Sequence, residues 1–546
     1  MVLGIRHGIF PPSATVYRKN FLKILFIWKN FSVKPCRLLA ENPRLCRIPN
    51  TNFSCQCVHL FAMKIPDDLN ESQWQAVCHE GSHLLISAGP GTGKTHTLTR
   101  RIAHLIPSLK PNERILAITF TNKAARQMQE KLTALGVSPS QVYVGTFHGF
   151  CLKLLRDYLE HTALPKDFKV AMPEDISGFD REVRERISLL KSTQLAISPD
   201  EDFKAYQRYL RHNSWIDFDD ILCEALLLLE EEDVVVQLRR QYRYVFVDEY
   251  QDSNLVQNAL LKILARDGVL LTAIGDANQS IYGFRGSKVE LFRRFKEDFA
   301  PAQILSLQEN YRSASSLLAA SGQVMGGIQL LAHLETQGKL VIHHAATDRA
   351  EADYVAHQIE KLVGGLDMNT SRRALRSFGD IVVLYRLNAM RHAIAQALEH
   401  LGIPYQIAQK PQRAEVYSDE DALGQNEEDV EYNVEKVSLM SLHAAKGLEF
   451  PVVFIIGCEE RMLPLDLIGM KGEPQEERRL FYVGMTRAKE HLYLTYAKRR
   501  QLFGQTLIQG PSPYLADIAE ELKAYEEAKR NASPKKDPDD LQMKLF

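Results

Sequence analysis

From residue 69 onward, short apolar runs rich in β-branched residues alternate with longer stretches whose apolar positions recur at helical spacing. The runs at 84–87, 115–119, 142–145, 244–247 and 270–274 predict one series of strands, and those at 304–307, 340–343, 380–385, 437–441, 452–456 and 492–495 predict a second. Strands that are apolar on both faces and separated by helices make a parallel sheet covered on two sides. The pattern therefore predicts an α/β chain with two tandem cores, over 63–298 and 299–516, and a linker at 295–303 that contains Pro301. Two stretches break the rhythm and read as insertions: a charged, helical one at about 152–215, amphipathic over 180–190, and a polar, acid-rich one at about 406–435. Beyond residue 515 the chain turns to Lys and Glu, predicting a helix, and then to a charged, Pro-containing tail within 517–546.

Length and composition fit this picture: 546 residues exceed what one hydrophobic core serves, and 45% hydrophobic with 25% charged residues is an ordinary globular make-up. The net charge of −1 hides a split, because residues 1–62 carry basic residues from Arg6 to Arg47 against the single acid Glu41. That segment reads as an Arg-rich targeting extension or as a misplaced start. The second is preferred, since Met63-Lys64-Ile65 leads straight into the first motif. With no global positive charge, a nucleic-acid partner needs a local basic and aromatic channel. The eight cysteines form no CxxC pair, Cys36, Cys46, Cys55 and Cys57 fit no common zinc spacing, and no signal peptide is evident, so a reducing cytoplasm is expected. The apolar stretch 21–31 is too short to span a bilayer.

Candidate chemistry begins at residues 88–95, AGPGTGKT, directly after the run 84–86 and before a helical stretch. A glycine-rich loop at such a handover folds its N–H groups into a nest for phosphate. Gly89, Gly91 and Gly93 supply the freedom, Lys94 can reach the β- and γ-phosphates, and the Thr95 hydroxyl can ligate Mg²⁺. Ala88, Pro90 and Thr92 complete the loop, Ala88 standing where the strict pattern has Gly. Downstream, the run 244–247 ends in Asp248-Glu249-Tyr250-Gln251-Asp252. At a strand's C-terminal end Asp248 can hold Mg²⁺ while Glu249 polarises the attacking water. Ahead of the loop, the Gln73 amide can pair with an adenine edge.

These segments keep a fixed company: LNESQWQAV (69–77), AGPGTGKT, TFTNKAA (119–125), GTFHGF (145–150), DFDDIL (217–222), VDEYQD (247–252), GDANQSIYGFRG (275–286), LQENYRS (307–313), SLHAAKGLEF (441–450) and EERRLFYVGMTRAK (476–489). In this order, over about 69–514, they closely resemble the UvrD/Rep/PcrA-type superfamily 1 DNA helicases. The resemblance implies two RecA-like cores of the P-loop NTPase kind, with ATP in the cleft between them and single-stranded DNA across their tops. It implies that Gln73 contacts adenine and Tyr311 stacks on it, that Gln279 senses the γ-phosphate, that Arg312 and Arg487 are arginine fingers from the second core, and that Glu449 is a further nucleotide contact. Such arginines bring positive charge to the transferring phosphoryl only when the cleft closes.

The same comparison lays the strand on Phe120, Thr121, Asn122, Phe147, His148, Tyr282, Phe284, Arg285, Tyr385, Arg386, Asn388, Ser441 and His443. Rings that stack on bases and polar groups that hold phosphates suit a sequence-tolerant grip. It also implies 3′-to-5′ movement. Departures are His96 for a usual Arg, Ser441 for Thr, Phe284 for Trp, and a second insertion that is a fraction of its usual size. The expected activity is an ATP-dependent DNA helicase acting on single strands and tailed duplexes in repair, replication or recombination. A translocase that strips proteins from DNA and a clamp-tethered ATPase switch are the alternatives. Finally, Gln542, Leu545 and Phe546 at the chain end resemble the peptide by which bacterial DNA-processing proteins dock on the polymerase sliding clamp, two apolar side chains filling a pocket with the Gln at its rim.

Overall fold

The computed structural model describes residues 65–193, 200–334, 336, 338–364, 376–407 and 435–527. The chain divides into two units, Met1–Leu69 and Asn70–Phe546, and the second carries everything that follows. The basic 1–62 segment, nearly all of the 406–435 insertion and the 542–546 peptide lie outside the described residues.

Six strands build the first sheet: β1 (His83–Ala88), β2 (Arg114–Thr119), β3 (Val142–Thr146), β4 (Tyr242–Val247), β5 (Leu270–Gly275) and β6 (Ala302–Leu307). They run in the order β3-β2-β4-β5-β1-β6, each pair parallel. Consecutive residues Leu84, Leu85 and Ile86 are all buried because the sheet is covered twice. Leu85, Val245 and Val247 join one cluster with Phe150, Leu222 and Leu261, whereas Leu84, Ile86 and Phe246 join another with Leu98, Ile102 and Met128.

The run 304–307, expected to open the second core, instead closes the first: β6 pairs with β1 along its whole length. It covers an edge that would otherwise be open, and its exposed residues Gln303, Ile304 and Ser306 suit an outermost strand. The stretch 295–303 is therefore not a linker, since Phe295 and Phe299 are buried in the first core.

The second sheet contains β7 (Lys339–Thr347), β8 (Ile381–Tyr385), β9 (Tyr405–Ile407), β10 (Val437–Ser441), β11 (Phe450–Ile455), β12 (Ala488–Leu502), β13 (Gln505–Ile508) and β14 (Ala524–Glu527). Its order is β9-β10-β8-β11-β12-β7-β14, all parallel, with β13 antiparallel to β12. Leu494 already pairs with Ile455 at the end of β11, yet β12 runs on to Leu502 before turning through Phe503 and Gly504 into β13. A hairpin thus projects past the central strands at the end of the sheet that also carries Ser441.

Beyond residue 515 the expected Lys/Glu helix is replaced by the short helix Pro513–Ala516, the turn Glu520–Leu522 and β14. Buried Tyr514, Leu515 and Ile518 keep the chain on the core. The Glu526 carboxylate then accepts from Lys339 (2.7 Å), Tyr354 (2.8 Å) and Gln358 (3.1 Å), fastening β14 to the sheet edge.

The first insertion is helical, with Arg181–Thr193 and Glu201–His212 around a small cluster of Ile187, Tyr206 and Leu210. Buried Lys191 ties it to the first core by ion pairs to Asp217 (2.6 Å) and Asp220 (2.7 Å) at the start of helix Phe218–Leu228. Removing either kind of partner would strand a buried charge. No helix among the described residues is long and apolar enough to cross a membrane.

Candidate active site and nucleic-acid interface

Between β1 and helix Lys94–Leu105 the loop is shaped by its glycines. Gly91 (φ 69°) and Gly93 (φ 80°) are left-handed, a region that side chains strain to enter. Space forbids side chains as well: a Cβ on Gly91 would lie 2.6 Å from Asn310 Nδ2, and one on Gly93 2.7 Å from Gln73 Nε2. Gly93 is the N-cap of the helix, so unbonded N–H groups open onto the loop.

The loop is clasped from outside. Asn310 Nδ2 donates to Pro90 O (2.6 Å), Tyr311 N to Gly91 O (2.9 Å) and Gln73 Nε2 to Thr92 O (3.0 Å). Gln73 Oε1 accepts from Asn70 N (3.0 Å), so both ends of its amide are engaged. Tyr311 stands half-exposed beside it, accepting from Asn70 Nδ2 (2.9 Å), donating to Glu309 (2.7 Å) and holding its ring 4.6 Å from His333.

At the end of β4, Glu249 adopts φ 49°, a strained conformation for a non-glycine residue. It brings the carboxylate 3.8 Å from Lys94 Nζ. Gln251, not singled out from sequence, fixes that carboxylate: its Nε2 donates to Glu249 Oε2 (2.5 Å) while its Oε1 accepts from Asp276 N (3.0 Å). Burial works against ionisation of Glu249, but Lys94, Lys446, Gln251 and Arg487 together hold its pKa well below the usual range. Burial and the charge on Glu249 push Asp248 the other way. The pair therefore offers one firm negative charge and one carboxyl that a cation would ionise. Thr95 follows Lys94 on the helix. No cluster of three His, Cys, Asp or Glu able to hold a metal occurs among the described residues. Thr95 and Asp248 fit instead an ion such as Mg²⁺, which takes few protein ligands and fills its octahedron with water and phosphate oxygens.

The second core supplies the cations. Arg487, just past helix Pro474–Met485, is fully buried and donates to Gln279 Oε1 (3.2 Å), Val483 O (2.8 Å) and Leu448 O (3.2 Å). Burial lowers its pKa to about 9, leaving it charged at neutral pH. Gln279 in turn donates to Asp276 (2.8 Å). Arg312 is ion-paired with Glu449 (2.5 Å), which also holds Lys489 (2.6 Å). Lys446, another residue that sequence reasoning passed over, bridges the cores through an ion pair with Asp252 and a bond to Gln279 O (2.9 Å).

Beyond Gln279 the polar cleft gives way to rings. Phe120 and Tyr282 stack at 5.5 Å, Tyr282 meets Phe284 edge-on at 6.1 Å, and Phe284 meets His443 at 5.7 Å. Phe284 is 59% exposed, and the Arg285 guanidinium lies over both Tyr282 (5.4 Å) and Phe284 (5.5 Å). His148 stacks at 3.8 Å on Phe218, a residue inside a quoted motif whose role was missed. A cavity of about 830 Å³ between the first core and the insertion is lined by Phe120, His148, Phe218, Arg184 and Phe284. One of about 270 Å³ is lined by Phe284, Arg285, Arg386, Asn388, Ser441 and His443. Burial drives His148 and His443 down to about pKa 3, so both rings are neutral.

Three expected track residues sit differently. Tyr385 is buried in the second core beside Val383 and Phe454, because β8 is covered on both faces. Phe147 is buried in the first core and only backs the larger cavity. The Arg386 guanidinium is committed to Glu477, with contacts of 2.6–3.2 Å. Thr121 and Asn122 open helix Asn122–Ala134, Thr121 Oγ1 accepting from Ala124 N (3.1 Å). Phe503, an aromatic outside every quoted motif, stands at the hairpin tip with φ 52° and is 64% exposed.

The sequence matches the UvrD/REP helicase N-terminal domain over residues 69–201 and 190–300, and the UvrD-like helicase C-terminal domain over 305–412 and 414–499. It is 26% identical to the ATP-dependent DNA helicase PcrA of Staphylococcus epidermidis, over 86% of this chain and 89% of that protein. It is 28% identical to the probable DNA helicase II homolog of Rickettsia conorii (83% and 96% covered) and to the ATP-dependent DNA helicase UvrD1 of Mycobacterium bovis (84% and 86%). The alignment with the Staphylococcus protein runs over 663 positions, more than the whole chain, so that relative carries segments with no counterpart here.

Proposed function

The chain is a UvrD-type DNA helicase with both family domains in order, and from that premise we propose that it uses ATP and Mg²⁺ to move 3′-to-5′ on single-stranded DNA and to open tailed duplexes in the cytoplasm. The observation that carries this reading is continuity: Gln279, held by Arg487 in the cleft, is five residues from Phe284 on the exposed ring surface.

Lys94 and the loop N–H groups hold the triphosphate, Gln73 and Tyr311 hold the base, and Thr95 with Asp248 hold Mg²⁺. Bound there, Mg²⁺ would supply positive charge against the phosphates. Glu249, ionised and aimed by Gln251, orients the attacking water and takes its proton. As the cleft closes, Arg312 and Arg487 exchange Glu449 and Gln279 for the phosphoryl, so that stabilisation arrives only in the closed state. The rings of Phe120, Tyr282 and Phe284 stack on bases while Arg285, Asn388, Ser441 and His443 line the strand's path. At the same end of the second sheet, the exposed Phe503 provides a surface on which the last base pair of a duplex can stack as it is split.

The test is DNA-stimulated ATP hydrolysis by Lys94→Ala beside strand displacement from 3′- and 5′-tailed duplexes. Loss of hydrolysis with single-strand binding intact, and wild-type unwinding from the 3′ tail alone, supports the reading; hydrolysis retained by Lys94→Ala removes the site assignment. A second reading, a translocase that strips bound proteins, is favoured by the segments this chain lacks relative to the Staphylococcus protein. Activity on protein-coated strands without displacement of bare duplex would select it. We further propose that Gln542, Leu545 and Phe546 dock on a sliding clamp; unchanged clamp affinity after deletion of residues 542–546 would exclude this.

A further inference from the structure

Helix Pro474–Met485 of the second core lies along the first-core segment 279–283 and engages it at both ends. Near its start Glu476 Oε1 accepts a hydrogen bond from Gly283 N (3.1 Å), and Arg479 Nε donates to Ser280 O (2.7 Å). Just past its end Arg487 reaches Gln279. Between these contacts Ile281 and Tyr282 are buried in the hydrophobic cluster of the second core with Leu480, Phe481 and Val483. Gly283 opens the turn Gly283–Arg285, which carries Phe284 and Arg285, and a Cβ on Gly283 would collide with the Glu476 carboxylate. On its other side Gly286 (φ 84°) lies against Ser192 and Thr193 of the insertion. The turn is thus held between two bodies, at one glycine each.

We propose that Glu476 is a positioning residue: its carboxylate sets the orientation of the Phe284 turn and, being on the helix that presents Arg487 to the cleft, makes nucleotide-driven closure and re-gripping of a base a single motion. Twelve helical residues span about 18 Å as a rigid rod, so a movement imposed at Arg487 reaches Glu476 undiminished. The charge-assisted bond to a backbone N–H passes that movement to the main chain of the turn rather than to a side chain free to rotate. The inference rests on the roles proposed above for Phe284 and Arg487.

The experiment measures nucleotides travelled per ATP hydrolysed on oligothymidine of graded length, with ATPase kcat and the KM for DNA, in the full chain. For Glu476→Ala, travel per ATP falls by about fivefold or more. Its DNA-free ATPase rate stays within about twofold of wild type. Glu476→Gln, which keeps an acceptor for Gly283 N, restores most of the coupling. Gly283→Ala displaces the same carboxylate from the other side and gives the same loss, and the double variant is no worse than either single one. Unchanged travel per ATP in both single variants, or travel and hydrolysis falling in parallel, overturns the proposal. Phe284→Ala separates the two levels: unchanged affinity for the strand defeats the track itself, whereas weakened affinity with normal coupling in Glu476→Ala defeats only the positioning role.

Discussion

The proposed nucleotide cleft and the proposed strand track lie on either side of residues 279–284 and are built on opposite terms. In the cleft nearly every expected group already has a polar partner: Lys94 faces Glu249, Arg312 holds Glu449, Arg487 holds Gln279, and Gln73 holds Thr92 O. The proposed track is a set of rings in edge and face contact with a few cations over them, and its most exposed member, Phe284, meets the rings of Tyr282 and His443 and the Arg285 guanidinium. Phosphoryl transfer needs charges fixed to within tenths of an ångström, which demands a scaffold of bonds. A grip that must accept any base needs flat apolar faces and freedom to let go.

That contrast predicts that single substitutions damage the cleft far more than the track. Lys94→Ala should lower DNA-stimulated phosphate release on the order of 10²–10³-fold, with strand affinity unchanged; a small loss would mean that the loop N–H groups suffice alone. Phe503→Ala should slow displacement of a tailed duplex by about tenfold, the worth of one stacking contact, while translocation on single strands keeps its rate. Equal losses in both would place Phe503 in the motor rather than at the fork. Phe284→Ala should weaken single-strand binding by a similar factor of about ten, measured by fluorescence anisotropy.

The two half-buried histidines of the proposed track sharpen the contrast through pH. The folded state holds His148 and His443 near pKa 3, whereas an ordinary imidazole titrates near 6.5. Below about pH 6.5 the unfolded chain binds protons that the folded chain refuses, so stability is complete above that pH and is lost as pH falls from 6.5 toward 3. By pH 5.5 the loss should be on the order of 1 kcal/mol per histidine, read from urea midpoints at pH 7.5 and 5.5; an unshifted midpoint would mean that both rings protonate in place. The smallest effect belongs to Tyr385→Phe, which should leave strand affinity within about twofold because the ring is sealed in the second core.

The same division governs what could be read from the chain. Lys94 faces Glu249 and Arg487 holds Gln279, because motif order puts these residues at strand ends and helix termini, which parallel sheets gather along one edge. Tyr385 and Phe147 show the limit: an aromatic at a strand end faces the core or the ligand according to which layer covers it, and that is settled by distant packing. Lys446 and Gln251 sat inside quoted motifs, yet their roles depend on partners that only the folded chain brings near. The 304–307 strand carried the right local signal for a strand but none for its sheet, since pairing with β1 is a contact across more than two hundred residues. Glu526 likewise turns a charged segment into an edge strand through partners on β7 and its following helix.

Gln73 carries a consequence for nucleotide choice. With its oxygen bound to Asn70 N and its nitrogen to Thr92 O, the amide is content without any base. Each end keeps one hydrogen-bonding valence in reserve, since an amide nitrogen carries two hydrogens and its oxygen two lone pairs. On the role proposed for Gln73, a base edge with a donor and an acceptor in the matching order meets both reserves, whereas the reversed order leaves them unpaired, at about 1–3 kcal/mol. The standing bonds to Asn70 and Thr92 fix which end of the amide is which, so the loop itself would choose the edge that the site accepts.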